Sequence, residues 1–154
     1  MNGSVHDAVA GFLTTTAYHR CLVLVHTDIR RLEAVVNELR TGYGWPRLNV
    51  GRELAAFLLS DSPGPKRADA ARRWLETSLA SAAPGPILLS DIDLLFEPTL
   101  HLDVLTLLRQ ASRTTRLVVA WPGTFENGTL AYAVPEHHHY RTWLRPEVRI
   151  VTLD

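Results

Sequence analysis

The sequence predicts a three-layer α/β sandwich built on a mainly parallel sheet. Short apolar, β-branched runs alternate with longer segments of helical periodicity. The runs are apolar at every position rather than at alternate ones, as in strands buried on both faces. Proline and glycine pairs punctuate the chain at intervals of one element. The resulting order, β-α-β-α-α-β-α-β-(hairpin)-β, is the one that lays helices over both faces of a parallel sheet.

The elements follow in turn. Residues 22–26 (Leu-Val-Leu-Val-His) form a continuous apolar strand. Ile29, Leu32, Val35, Val36 and Leu39 then recur at helical spacing, with Arg30, Arg31, Glu33 and Glu38 outward and Gly42 and Gly44 as stops. Leu48-Asn49-Val50 predicts a short strand and Glu53 to Leu59 a helix, broken by Ser60-Asp61-Ser62-Pro63-Gly64-Pro65. Arg67 to Ala82 predicts another helix, closed by Pro84-Gly85-Pro86, and Ile87-Leu88-Leu89 a buried strand running into Ser90-Asp91-Ile92-Asp93. Leu102 to Arg113 reads as a helix and Leu117 to Trp121 as a strand ended by Pro122-Gly123. Phe125 to Val134, turning at Asn127-Gly128, reads as a hairpin, and Val148 to Val151 as a last strand.

At 154 residues the chain predicts a single domain, residues 1–154, able to build a core without metals or disulfides. Sixteen basic residues balance sixteen acidic ones, so no global field draws the protein to nucleic acid or an anionic membrane. Fifteen of the basic residues are arginine, and Lys66 is the single lysine. Cys21 is the sole cysteine; it excludes an intrachain disulfide, fits a cytoplasmic compartment and reads as a small core residue. Met1 to Arg20 carries Asp7 and no basic n-region, unlike a signal peptide, and no apolar run approaches the ~20 residues that span a bilayer.

In a parallel α/β sheet the working groups gather after the carboxyl ends of the strands. That singles out His26-Thr27-Asp28, Ser90-Asp91 and Trp121-Pro122-Gly123. A phosphate loop needs glycine amides to wrap phosphates and a lysine to neutralise them. The first strand instead runs into His26-Thr27-Asp28-Ile29-Arg30, with no glycine between Gly11 and Gly42. Lys66 lies in a proline-rich loop that lacks backbone donors. Asp91 and Asp93 follow the strongest buried strand, the pattern in which one carboxylate holds Mg²⁺ and its neighbour orients water, or in which carboxylates merely cap a loop. Ser90 stands where the metal-holding aspartate is expected. His137, His138 and His139 are adjacent, and three consecutive histidines on a regular element do not face one metal. His26 fits a structural hydrogen-bonding role.

The ordered set Arg47-Leu48-Asn49-Val50 through Leu58-Leu59, the run Ile-Leu-Leu-Ser-Asp-Ile-Asp-Leu-Leu-Phe-Glu-Pro at 87–98, Leu-Val-Val-Ala-Trp-Pro-Gly-Thr at 117–124, Gly-Thr-Leu-Ala-Tyr-Ala at 128–133 and Pro-Glu-His-His-His-Tyr-Arg at 135–141 resembles the BrxF family. These are small P-loop-type proteins of type 3 BREX bacteriophage-exclusion systems. The likeness spans nearly the whole chain beyond residue 20, in the same order and at similar spacing. It implies a P-loop NTPase-like (AAA-like) fold and a role in antiviral defence beside helicase, methyltransferase, phosphatase-like and large ATPase components. Against that pattern, His26, Thr27, Asp28 and Arg30 occupy a degenerate phosphate-loop position. Asp91 and Asp93 form a vestigial Walker B-like pair, and Pro122 replaces the polar residue of a sensor-like strand.

The expectation is therefore a pseudo-ATPase, a non-catalytic assembly or regulatory subunit that needs no cofactor, with ATP and Mg²⁺ disfavoured and no metal site. Its partners are then other BREX components and its own copies. Arg113, Arg116, Arg141 and Arg145 are candidate interface cations, and Trp121, Phe125, Tyr140 and Trp143 candidate anchors. A second expectation is a weak ATPase or nucleotide sensor that closes on phosphate through Arg30 or Arg31. A third is a DNA-binding accessory protein using Arg67, Arg72 and Arg73. No membrane is implicated.

Overall fold

Apolar residues are dense enough here for both faces of a sheet to be covered, and the computed structural model, which describes residues 3–17, 19–61 and 66–154, has that form. The elements are α1 (Gly3–Thr14), β1 (Cys21–His26), α2 (Ile29–Tyr43), β2 (Arg47–Asn49), α3 (Val50–Asp61), α4 (Arg67–Ser81), β3 (Ile87–Ser90), α5 (Val104–Ala111), β4 (Leu117–Glu126), β5 (Thr129–Tyr132), β6 (Arg141–Leu144) and β7 (Arg149–Thr152). Two 3-10 turns, Asp93–Phe96 and Pro98–Leu100, lie between β3 and α5. The break expected from Ser60 to Pro65 begins later than that, since α3 runs through Asp61, and residues 62–65 lie outside the described residues.

Five strands run parallel in the order β2-β3-β4-β1-β7, and β5 and β6 extend β4 as an antiparallel meander. Successive side chains on a strand point to opposite faces. On β1, Cys21, Val23 and Val25 therefore face α3, α4 and α5, while Leu22 and Leu24 face α1 and α2. Both sets are buried, which is why the strand carries no polar alternation. The architecture is α/β, with helices on both faces of a mostly parallel sheet. Among the described residues no helix is long and apolar enough to cross a membrane.

Local signals set the ends. Asp28 caps α2, its carboxylate accepting the Arg30 amide at 2.9 Å. Gly44, in the left-handed region (φ 72°), ends α2 by donating to the Arg40 carbonyl at 2.9 Å. Asp103 caps α5 through the Thr106 amide. Asn127 and Gly128, both at positive φ, make the β4–β5 turn.

The strand expected to end at Trp121 continues to Glu126. Pro122 does not stop it because the strand changes partner there. Through Pro122 it pairs with β1, and from Gly123 it pairs antiparallel with β5. A residue without a backbone donor costs no ladder bond at such a crossing. Trp121 Nε1 donates to the Ala131 carbonyl at 2.9 Å, drawing β5 across the end of the sheet. Gly123 lies so close beneath that a Cβ would stand 1.9 Å from the Ala131 oxygen.

That contact is with backbone, which has no rotamer to turn away. Gly123→Ala is expected to destabilise the fold by about 2 kcal/mol or more, a fall of roughly 4–8 °C in Tm for a chain of this length. A thermal melt followed by circular dichroism measures it, and an unchanged Tm would show that the crossing has room to spare.

Candidate functional site

All five parallel strands end on one edge of the sheet. Above it a pocket of about 180 Å³ opens between α2, β2, the loop after β3 and β4. Ile29, Leu32, Ala120 and Pro122 make its apolar wall, and Glu33, Arg47, Asn49, Ser90, Asp91 and Asp93 its polar one. This is the crevice where parallel α/β proteins place their chemistry.

The structure brings Ser90, Asp91 and Asp93 to this pocket but commits them differently. Ser90 is buried at the end of β3, and its hydroxyl accepts the Arg47 Nε at 2.8 Å. Asp91 is exposed and takes a left-handed backbone (φ 55°) that turns its carbonyl onto the Gly51 amide at 2.8 Å. Its carboxylate rests against Gly51 in the first turn of α3, where a Cβ would stand 2.4 Å from Oδ2. Negative charge beside a helix N-terminus is favourable, so this position explains itself without a metal. Asp93 accepts the Tyr132 hydroxyl at 2.5 Å. Burial first, and the Asp93 carboxylate second, raise the Tyr132 phenol above its ordinary value. The two acidic groups thus engage opposite walls, one at α3 and one at β5.

The candidate phosphate-loop residues form no loop. Thr27 and Asp28 are the whole link between β1 and α2. The His26 Nδ1 accepts the Asp28 amide at 2.8 Å, and the Asp28 carboxylate occupies the N-terminus of α2. Arg30 is 94% exposed at its side chain and pairs with Asp28 at 3.7 Å. Arg31 donates to the Asp154 carbonyl at 2.9 Å, away from the crevice.

Sequence reasoning missed Arg47 and Glu33. Arg47 bonds Ser90, pairs with Glu33 at 2.5 Å and reaches Asn37 Oδ1 at 3.5 Å, tying β2 and β3 to α2. The available signal was position: Arg47 lies in a short strand whose end borders the same crevice.

Elsewhere the surface candidates are partly absorbed into the fold. Trp143 is half-buried and stands edge-on to Trp121 (centroids 5.4 Å) and Phe96 (6.1 Å), with Nε1 3.4 Å from Asp103 Oδ1. It packs on the core rather than projecting as an anchor. Arg141 donates to the carbonyls of Leu102 (2.7 Å) and Phe96 (3.0 Å). Arg72 pairs with Asp69 and with Glu76, and Arg73 with Asp69 at 2.7 Å, so α4 answers much of its own charge. His137 accepts the His139 amide at Nδ1 in an exposed turn. Among the described residues no three His, Cys, Asp or Glu side chains gather as a metal site. Burial pushes the Cys21 thiol up to about 12, far from thiolate reactivity.

No protein-family model, curated protein or solved structure matches the chain.

The Tyr132–Asp93 contact makes a prediction with a definite sign. The folded protein keeps a phenolic proton that the unfolded chain loses near pH 10, so this stability is fully present below about pH 10 and is lost progressively as the pH rises from there toward the higher folded value. Tyr132→Phe is expected to cost about 1–2 kcal/mol near neutrality, and the gap from the parent should narrow at alkaline pH. Urea denaturation of both proteins at about pH 8 and about pH 11 reads it; a gap that stays constant would show that the fold does not raise the phenol.

Proposed function

We propose that this protein is a non-catalytic assembly or regulatory subunit of a BREX-type phage-defence system, a pseudo-ATPase on a P-loop NTPase-like (AAA-like) scaffold. The defence setting and the name of the scaffold rest on the ordered resemblance to the BrxF family. Support for the scaffold comes from the parallel sheet, with β1 inside it and an acidic pair after β3. The non-catalytic part is carried by one observation: a two-residue β1–α2 link whose Asp28 carboxylate sits where a phosphate would have to sit. Phosphate binding at such a position uses free amides and the positive helix end. Here an amide and the field are both answered by a carboxylate, and a second anion would meet repulsion rather than attraction.

The remaining parts of a nucleotide site are also committed. Ser90 receives Arg47 in place of a metal, and Asp93 receives Tyr132. With these groups engaged, the role is binding: to other components of the system and to its own copies.

Two measurements test this. Phosphate release from Mg-ATP should not exceed that of buffer, and any thermal stabilisation by Mg-ATP should survive Asp91→Ala. A ligand at 100 times its Kd stabilises by about 2.7 kcal/mol, which a melt resolves. Hydrolysis that disappears together with stabilisation in Asp91→Ala would overturn the reading. Produced together with the other components of a type 3 BREX system, the tagged chain should co-purify with at least one of them; recovery alone would remove the assembly role.

A further inference from the structure

A second cavity, of about 510 Å³, lies beside the crevice on the outer side of β2, between α2 and the first turn of α3. Three arginines from three successive elements line it: Arg40 of α2, Arg47 of β2 and Arg52 of α3. Glu33 is its single acidic lining residue, and its carboxylate is already held by Arg47 at 2.5 Å. We propose that this cavity is a binding site for a phosphoryl group, with Arg40 and Arg52 as its charged arms and Arg47 as its fixed base. The inference is independent of the proposed function, since it uses none of the residues after β1, β3 or β4 as ligands.

The argument begins with charge that the fold leaves unanswered. Neither Arg40 nor Arg52 has an ion-pair partner among the described residues. Arg40 stands in the last turn of α2, where a cation suits the helix dipole. Arg52 stands in the first turn of α3, the end at which a cation is disfavoured. Nothing in the fold requires it there, because the helix is capped by Asn49, whose Oδ1 accepts the Arg52 amide at 3.0 Å. The Gly51 amide is likewise taken by the Asp91 carbonyl. The side chains, not the helix end, are therefore the donors the cavity offers.

Guanidinium groups present paired donors in a plane, which matches the oxygens of a phosphate better than a point charge does. Arg47 is pinned on three sides by Ser90, Glu33 and Asn37, so one wall is set before a ligand arrives. Arg40 and Arg52 are exposed and able to close on it. Two sources supply this chemistry: a free phosphorylated small molecule, or the backbone of a nucleic acid. Their oxygens are alike, and the experiment separates them.

Isothermal titration of the full-length protein, without divalent ions, uses inorganic pyrophosphate in one arm and a 12-nucleotide single-stranded DNA of mixed sequence, on the order of the site sizes of single-strand binders, in the other. Pyrophosphate is expected to bind, and Arg40→Gln and Arg52→Gln are each expected to weaken it about tenfold or more, the scale of one charge-assisted contact. Lys66→Gln, at the exposed start of α4, removes one positive charge away from the cavity and should leave binding unchanged. The affected side chains are exposed, and equal melting temperatures without ligand will show that the variants fold. Binding of the DNA alone, with the same dependence on Arg40 and Arg52, supports the site and assigns the source to a nucleic-acid backbone. No binding in either arm, or binding that both variants retain, overturns the proposal. The titration contains no divalent ion, which keeps the result separate from any Mg²⁺-dependent nucleotide effect in the crevice.

Discussion

The two-sided burial of β1 is the constraint on which the rest of the structure depends. Each residue from Cys21 to Val25 is committed to one layer or the other, so a slip of one residue would send every side chain to the wrong set of helices. With that register fixed, β4 and β7 are held on either side of β1, Val25 opposite Trp121 and Thr152. The parallel strands then end together. Because α2 leaves β1 toward one face and α3 to α5 cover the other, the crevice at that edge follows from the packing rather than from any residue in it.

A second lock decides what the crevice can do. β4 does not stop at the sheet edge but carries β5 and β6 over it, fastened by the Trp121–Ala131 hydrogen bond and the close passage at Gly123. This places Tyr132 flat against Phe96, ring centroids 3.7 Å apart, with Trp121 and Trp143 edge-on around Phe96. The buried Tyr132 hydroxyl then needs an acceptor, and Asp93 supplies it. A carboxylate that sequence pattern offers to a metal is thereby used to satisfy a tyrosine. The aromatic cluster and the engagement of Asp93 have the same cause.

Much of this was legible because apolar periodicity and capping residues act locally. The parallel strands, α2 with its Gly44 stop, α4, α5 and the Asn127-Gly128 turn all follow from residues within one element of each other. The end of β4 was not legible, because Pro122 and Gly123 are ordinary terminators until a partner exchange makes them acceptable. β6 was hidden for a related reason: it is four residues long, and its inward residues are Arg141 and Trp143, so no apolar alternation marks it. α1 carried a signal in Val5, Val9 and Phe12, but only the sheet face beneath explains why so short a helix holds. At the site, the acidic residues were visible as a motif, while their engagement by Gly51 and Tyr132 depends on elements some 40 residues away in each direction.

The distribution of charge at this edge of the sheet is the last step. A phosphate site after β1 would need positive potential at the start of α2, and the chain puts Asp28 there with Arg30 turned out to solvent. Positive side chains collect instead one layer outward, around β2, where Arg47 lines both cavities and is held by Ser90 and Glu33. Arg47 is 19% exposed at its side chain, so its charge acts in a medium of lower dielectric than water and is felt in both. An anion drawn by Arg40 and Arg52 would compete with Glu33 for that guanidinium. The Ser90 and Asn37 contacts hold Arg47 in place against that competition. The crevice and the basic cavity are in this sense one electrostatic unit, with Glu33, Arg47 and Asn49 in the walls of both.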